Sequence, residues 1–288
     1  MGISFCQAGY SYSGRPALKD IDLSLGQGIT AVMGYNGSGK TTLLQLAAGI
    51  LTPAQGVIAL DGEPLLTAGI KLRRELGFLP QTVDFPEHLT PRKLLTYLAQ
   101  LRFMSPKPGL AELERFGIAH LADRRFEELS LGEIRLVGIA QAFMGAPRFL
   151  LLDEFTRNLG IEDRQRVLCR LLELAPGRTI LFSTHICEDV EALAERVILL
   201  SAGRIGFSGQ PAALIRSARG SVFEGDAAQK QAVLACRSVQ IDREINSASG
   251  RRLRIVGEPP AHLNLQGVEP TFEEACLWFF HHNKRKPV

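Results

Sequence analysis

Gly34-Tyr35-Asn36-Gly37-Ser38-Gly39-Lys40-Thr41-Thr42 fits the pattern GxxxxGK[ST], and residues 34–42 are here called the phosphate loop. An apolar run, Ile29 to Met33, precedes the loop, and apolar residues at helical spacing, Leu43 to Ala47, follow it. A glycine-rich turn between a buried strand and a helix directs backbone N–H groups and the positive end of the helix toward phosphate oxygens. The alternative is a glycine-rich loop without a ligand.

Two side chains of the phosphate loop have predicted roles toward the phosphates of a nucleotide and Mg²⁺. Lys40 is expected to reach the β- and γ-phosphates, and the Thr41 hydroxyl is placed to bind Mg²⁺, which prefers oxygen ligands. All nine residues of the loop, from Gly34 to Thr42, are predicted to hold the nucleotide.

A second apolar strand, Phe149 to Leu152, ends in the acidic pair Asp153-Glu154. Ligands bind at the carboxyl ends of strands in open α/β sheets. We expect Asp153 to bind Mg²⁺ through water and Glu154 to accept a proton from the attacking water. An isolated acidic pair after a strand would more often be a solvated turn, and the upstream phosphate loop favours the active-site interpretation.

The order of the predicted elements indicates an α/β fold. Buried strands at 29–33, 148–153 and 179–183 alternate with helical patterns, which is typical of a mainly parallel sheet covered on both faces. Residues 84–145 are mainly helical and predict a separate lobe. Beyond residue 211 the pattern weakens, so we expect a main domain over residues 1–215 and a small α+β accessory region over 216–288.

Composition narrows the class of protein. With 288 residues, 45% hydrophobic and 22% charged, the chain is typical of a globular protein, and a formal net charge of +3 gives no support for binding to nucleic acid. The apolar runs are too short to span a bilayer, no signal peptide is apparent, and the five cysteines form no CxxC pair. We therefore expect a cytoplasmic protein with reduced thiols.

Further motifs follow the phosphate loop in a fixed order. Gln81 lies in Leu79-Pro80-Gln81, the segment Leu129-Ser130-Leu131-Gly132-Glu133 comes next, His185 ends Ser183-Thr184-His185, and Tyr12 lies upstream. Together with the acidic pair, this order resembles the ATP-binding cassette (ABC) ATPases over about residues 3–215. The resemblance implies a P-loop cassette with an N-terminal antiparallel β subdomain, a mainly parallel core sheet and a helical subdomain.

The resemblance also implies roles for these residues. Tyr12 would stack on adenine, with Tyr10 as a nearby competitor. Gln81 would contact Mg²⁺ or the attacking water and act as a hinge to the helical lobe, and His185 would bind the γ-phosphate. The catalytic set is therefore Lys40, Gln81, Glu154 and His185. Residues 129–133, here called the signature segment, match the family's LSGGQ, through which Ser130, Leu131, Gly132 and Glu133 would contact ATP held by an opposite subunit.

Four residues depart from the family pattern. Leu131 and Glu133 replace a glycine and a glutamine of LSGGQ, Gly160 stands where an aspartate is common, and Tyr35 stands where a proline is frequent. Leu131 is predicted to restrict the close backbone approach that glycine permits. These departures leave intact the motifs that hold the chain's own nucleotide. They affect the motifs that would contact the nucleotide of a partner.

The function implied is that of the ATP-binding and ATP-hydrolysing subunit of an ABC transporter. Such a subunit dimerises and drives a separate membrane permease from the cytoplasmic face, with ATP and Mg²⁺ as ligands. Residues 137–142 and 268–275 resemble the ABC-2 exporter branch. The alternatives are a soluble ABC ATPase without a membrane partner and a weakly hydrolysing regulatory subunit. The transported substrate, and whether the dimer is homomeric or heteromeric, stay open.

Overall fold

The chain contains both strands and helices in a computed structural model, which describes residues 2–68, 74–236, 238–247, 250–260 and 263–283. The described strands are β1 (Ile3–Tyr12), β2 (Arg15–Leu25), β3 (Gly28–Gly34), β4 (Gln55–Leu60), β5 (Glu63–Pro64), β6 (Leu76–Leu79), β7 (Phe149–Asp153), β8 (Thr179–Ser183), β9 (Arg196–Ser201), β10 (Arg204–Gly209), β11 (Val222–Asp226), β12 (Val239–Ser247), β13 (Gly250–Gly257) and β14 (Gln266–Gly267). The described α-helices are α1 (Lys40–Ala47), α2 (Pro91–Leu101), α3 (Lys107–Arg115), α4 (Leu131–Phe143), α5 (Ile161–Leu174), α6 (Cys187–Leu193), α7 (Pro211–Ser217), α8 (Lys230–Leu234) and α9 (Phe272–Asn283).

The central sheet has the strand order β10-β9-β3-β8-β7-β6. Its pairs β3–β9, β3–β8, β8–β7 and β7–β6 are parallel. Every residue of β7 and β8 is buried, as expected for strands covered on both faces. The predicted parallel core is confirmed, and the ends of β3, β7 and β8 lie at the same edge of the sheet, where the phosphate loop and the acidic pair begin.

A second sheet, with the order β2-β1-β4-β5, forms the N-terminal part and is antiparallel. In the second half of β2, Ile21, Leu23 and Leu25 are buried while the residues between them are exposed, the alternation typical of a strand with one face on the core. The predicted antiparallel β subdomain is confirmed.

The section predicted to be helical contains α2, α3 and α4. Thr90 caps α2, since its hydroxyl oxygen accepts a hydrogen bond from the backbone of Lys93 at 3.3 Å, and Pro91 occupies the first helical turn. Ser130 caps α4 in the same way. Both helices thus begin where a hydroxyl oxygen can accept a hydrogen bond from a backbone N–H group. Within the described ranges, no helix combines the length and the apolar character needed to cross a membrane.

The chain divides into two compact units, Met1–Ile205 and Gly206–Val288. The boundary predicted at residue 215 lies in α7, inside the second unit. The second unit has an antiparallel sheet of order β12-β13-β11-β14. Its helix α9 is joined to β13 by Arg254, whose guanidinium donates two hydrogen bonds, of 2.7 and 2.6 Å, to the buried Glu274 carboxylate.

Candidate active site

The phosphate loop connects the end of β3 to the start of α1. Gly37 and Gly39 have φ values of 80° and 107°, in the left-handed region that favours glycine. A Cβ atom on Gly39 would lie 2.6 Å from the Leu18 Cδ2 atom and 2.8 Å from the Ala17 carbonyl oxygen. Glycine at position 39 is therefore required both by the turn and by the close packing of the loop against β2.

The Lys40 side chain is buried within the phosphate loop. Its ammonium group donates hydrogen bonds to the carbonyl oxygens of Gly34 at 2.8 Å and Tyr35 at 3.3 Å. Burial lowers the pKa of Lys40, while the nearby carboxylates of Glu154 and Asp153 act in the opposite direction. The lysine, the loop and the acidic pair thus lie close enough to interact electrostatically.

Oxygen atoms suited to a hydrated Mg²⁺ lie beside the loop. The Thr41 hydroxyl donates to the Gln81 side-chain oxygen at 3.5 Å. Asp153, at the end of β7, is fully buried, and its Oδ1 atom accepts a hydrogen bond from the Ser183 hydroxyl. Among the described residues, Asp153 Oδ2 and Ser38 Oγ are buried without a hydrogen-bond partner. Buried polar atoms normally have partners, so these two fit a site that takes a hydrated cation and a phosphate.

Glu154 and His185 form a pair at the same edge of the sheet. Glu154 Oε2 lies 2.8 Å from His185 Nδ1, and the carboxylate is largely buried while the imidazole is 64% exposed. The φ value of Glu154 is 51°, a costly conformation for a residue with a side chain. Its backbone N–H donates to both the carbonyl and the hydroxyl of Ser183, which holds the residue in this conformation.

Tyr12 lies on the other side of the loop. Its hydroxyl is 3.4 Å from Thr42 Oγ1 and donates to Gln45 Oε1 at 3.3 Å, and its ring makes an edge contact with Tyr10. A cavity of about 350 Å³, here called the nucleotide cavity, is lined by Tyr12, Ala17, Asn36, Gly37, Gly39, Lys40, Thr41, Thr42, Gln81 and Glu154. The structure thus brings together most of the predicted nucleotide-binding residues, and it places Tyr12 rather than Tyr10 in the lining.

Some site residues depart from the predicted set. Five predicted site residues are adjacent to the nucleotide cavity without lining it, namely Gly34, Tyr35, Ser38, Asp153 and His185. Ala17 lines it but was not predicted, because its place depends on the packing of β2 against the loop and no local pattern marks it.

The signature segment lies outside the nucleotide cavity, at the start of α4. The Ser130 backbone and hydroxyl both donate to the Glu133 carboxylate, at 2.7 and 2.8 Å, and the Glu133 backbone donates to the Ser130 hydroxyl oxygen. These bonds hold the pKa of Glu133 below its ordinary value. Leu131 and Gly132 follow Ser130 in the first turn of the helix, and the Leu131 side chain is 74% exposed.

Two further polar residues hold segments that carry site residues, and neither was predicted from the sequence. Arg135 on α4 donates to the backbone carbonyls of Gln81 and Glu154. Asp189 on α6 is fully buried, accepts from the Thr156 hydroxyl at 2.7 Å, and binds the Arg164 guanidinium at 2.6 Å. Asp189 therefore joins the segment that follows Glu154 to the helix that follows His185.

Comparison with known proteins decides the family. The family model described as ABC transporter matches residues 18–157. Over 218 residues the chain is 34% identical to the uncharacterized ABC transporter ATP-binding protein YxlF of Bacillus subtilis (strain 168), covering 74% of this chain and 72% of that protein. The chain belongs to the ABC transporter ATP-binding family.

Other relatives and a solved structure agree with this assignment. The cassette is 32% identical over 239 residues to the phosphonates import ATP-binding protein PhnC 1 of Ruegeria sp. (strain TM1040), covering 76% of this chain and 93% of that protein. It is 33% identical over 204 residues to the retinal-specific phospholipid-transporting ATPase ABCA4 of Mus musculus, covering 69% of this chain but only 9% of that much longer protein.

The solved structure of an ATP-binding subunit of an ABC transporter superposes on the chain with a TM-score of 0.70 at 25% identity, covering 75% of this chain and 93% of the other. The predicted ABC ATPase cassette is confirmed.

Proposed function

We propose that this ABC cassette binds MgATP in the nucleotide cavity and hydrolyses it to drive a separate membrane permease. The observation that carries the proposal is the Glu154–His185 pair, with a separation of 2.8 Å, beside a cavity that contains Lys40 and Thr41. A carboxylate held next to a phosphate-binding loop is the arrangement that water attack on a γ-phosphate requires.

Binding of MgATP uses the positive charge of Lys40 and the backbone N–H donors at the start of α1. The Lys40 ammonium exchanges its carbonyl partners for β- and γ-phosphate oxygens, the N–H groups at the start of α1 bind the same phosphates, and the Tyr12 ring stacks on the base. Thr41, Gln81 and Asp153 would hold Mg²⁺, Asp153 through water. When bound, Mg²⁺ neutralises charge on the phosphates.

Hydrolysis uses Glu154 and His185. Glu154 accepts a proton from water as the water oxygen attacks the γ-phosphorus, and the bond to the leaving ADP oxygen breaks. His185 orients the Glu154 carboxylate through their hydrogen bond and contacts the γ-phosphate.

A second cassette completes each site in this proposal. The signature segment lies outside the nucleotide cavity of its own chain, which supports a role for Ser130 and Gly132 at the ATP of a facing subunit. The Ser130 hydroxyl already donates to the Glu133 carboxylate, and that negative charge opposes a phosphate. This observation favours one alternative, a weakly hydrolysing subunit that depends on a partner with an intact signature segment.

Steady-state ATPase activity, measured for the purified chain and for the chain with its co-purifying membrane protein, tests the proposal. We expect activity that rises when the membrane protein is present. High activity without any membrane partner would instead support a soluble ABC ATPase. Low activity in both preparations, with MgATP still bound, would support the regulatory subunit.

Export from the cytoplasmic face is the finer part of the proposal. The resemblance of residues 137–142 and 268–275 to the ABC-2 exporter branch supports it, while a relative named for phosphonate import represents the opposite direction. Inside-out vesicles that contain the complex present the cassette to added ATP. An exporter would then accumulate compounds from a cell extract inside the vesicles, and an importer would not.

A further inference from the structure

Arg135 is a buried cation whose hydrogen bonds all go to backbone carbonyls. A guanidinium has five N–H donors, and here each of five carbonyl oxygens accepts one bond. The acceptors are Pro80 at 2.7 Å, Gln81 at 3.0 Å, Asp153 at 2.6 Å, Glu154 at 2.8 Å and Phe155 at 3.4 Å. Burial lowers the pKa of Arg135 to about 10, although the charges of Asp153 and Glu154 act in the opposite direction.

These carbonyls belong to two segments that are far apart in the sequence. One contains Gln81, whose side chain accepts from Thr41, and the other contains Glu154, whose side chain binds His185. The Glu154 carbonyl is held by Arg135 and its N–H by Ser183, so the peptide units on both sides of this strained residue are fixed. The direction of the carboxylate follows from those two attachments.

We infer that Arg135 is a positioning residue that holds the main chain of Gln81 and Glu154 in one arrangement with the helix that carries the signature segment. Arg135 lies on α4, which begins at Leu131. A shift of α4 therefore moves the Gln81 and Glu154 segments together, and the nucleotide cavity of a chain is coupled to the surface that the chain offers to a facing subunit. This inference rests on the proposed ATP hydrolysis.

Arg135→Lys is the test variant, because lysine keeps the charge but has its donors on one nitrogen and cannot span both segments. Arg178→Lys is the matched control. Arg178 also donates to three backbone carbonyls, those of Ala146, Leu174 and Pro176, and it precedes β8 at the opposite end of the sheet.

Catalytic constants and amide exchange are both measured for the full chain with its membrane partner. A misplaced catalytic group costs about 100-fold in rate, so we expect Arg135→Lys to lower kcat by about that factor while KM for ATP stays near the wild-type value. Arg178→Lys should change neither. Hydrogen–deuterium exchange should rise in peptides that contain residues 80–82 and 153–157 in Arg135→Lys, but not in Arg178→Lys.

The inference would be overturned if Arg135→Lys had the wild-type kcat and wild-type hydrogen–deuterium exchange. A loss of kcat no larger than that of Arg178→Lys would also overturn it. Arg135→Gln, which keeps two N–H donors, replaces the lysine variant if that protein does not fold. Unfolding of both Arg135 variants, with Arg178→Lys intact, would show a purely structural role and also overturn it. If the wild type does not hydrolyse ATP, the proposed function fails, and the exchange measurement still decides whether Arg135 positions the two segments.

Discussion

Replacing Glu154 with glutamine removes one function and leaves the rest of the site in place. The amide has nearly the same shape as the carboxylate, and the backbone bonds of Glu154 to Ser183 and Arg135 do not involve the side chain. The side chain can still bond to His185, which lies 2.8 Å away. What is lost is a group that accepts the proton of the attacking water.

The expected size of the effect follows from that loss. General-base catalysis contributes about 10²- to 10⁴-fold, which corresponds to an increase of about 3–5 kcal/mol in the activation free energy. MgATP affinity should stay near the wild-type value, because the phosphate loop and Lys40 are unchanged. The variant is therefore expected to bind MgATP and to accumulate in the ATP-bound state.

Single-turnover hydrolysis, with the protein complex in excess over radiolabelled ATP, measures the chemical step directly. Glu162→Gln is the matched control, because Glu162 is also a glutamate but its side chain is 89% exposed. Hydrolysis by Glu154→Gln at the wild-type rate would refute the assignment of the base. Loss of MgATP binding in that variant would refute the separation of binding from proton transfer.

Two further predictions concern the signature segment and the second unit. Leu131→Gly should raise the ATPase rate of a symmetric dimer, since it removes an exposed side chain from the surface offered to the opposite phosphate; an unchanged rate in the reconstituted complex would contradict this. Glu274→Gln should lower the free energy of unfolding by about 3 kcal/mol, because it breaks the buried pair with Arg254, while MgATP binding persists. Burial raises the pKa of Glu274, but bonds from Arg254 and Thr271 outweigh burial and hold it below the ordinary value of 4.5. The stability difference between wild type and Glu274→Gln, measured by urea unfolding, should therefore be full above that value and shrink as the pH falls through the lowered pKa; a difference that grows at acidic pH would contradict the assigned shift.

Features set by local chemistry were predictable from the sequence. Thr90 and Ser130 cap helices because their hydroxyl oxygens accept bonds from backbone N–H groups three residues later, and Gly39 is needed where φ is positive. The order of strand, loop and helix around Lys40 follows from the same short-range rules. The loop and helix around Lys40 supply most of the lining of the nucleotide cavity.

Features that depend on long-range packing were not predictable. Arg135 reaches carbonyls of segments that no periodicity connects, and a buried arginine in an apolar helix gives no local sign of its partners. The helical pattern of residues 226–235 gives only the short helix α8 (Lys230–Leu234). Asp226 ends β11 and accepts from the Ala228 backbone at 2.8 Å, which caps a 3₁₀ turn before α8 begins at Lys230.

Equilibrium binding of MgATP to the wild type, Lys40→Ala and Lys93→Ala tests the central claim most directly. Lys93 is an exposed lysine on α2 and serves as the control for loss of a positive charge. A hydrogen bond to a charged group contributes about 1.5–3 kcal/mol, so Lys40→Ala should weaken MgATP binding by at least about tenfold, while Lys93→Ala binds like the wild type. Equal MgATP affinity in all three proteins would contradict the assignment of residues 34–42 as the phosphate-binding site.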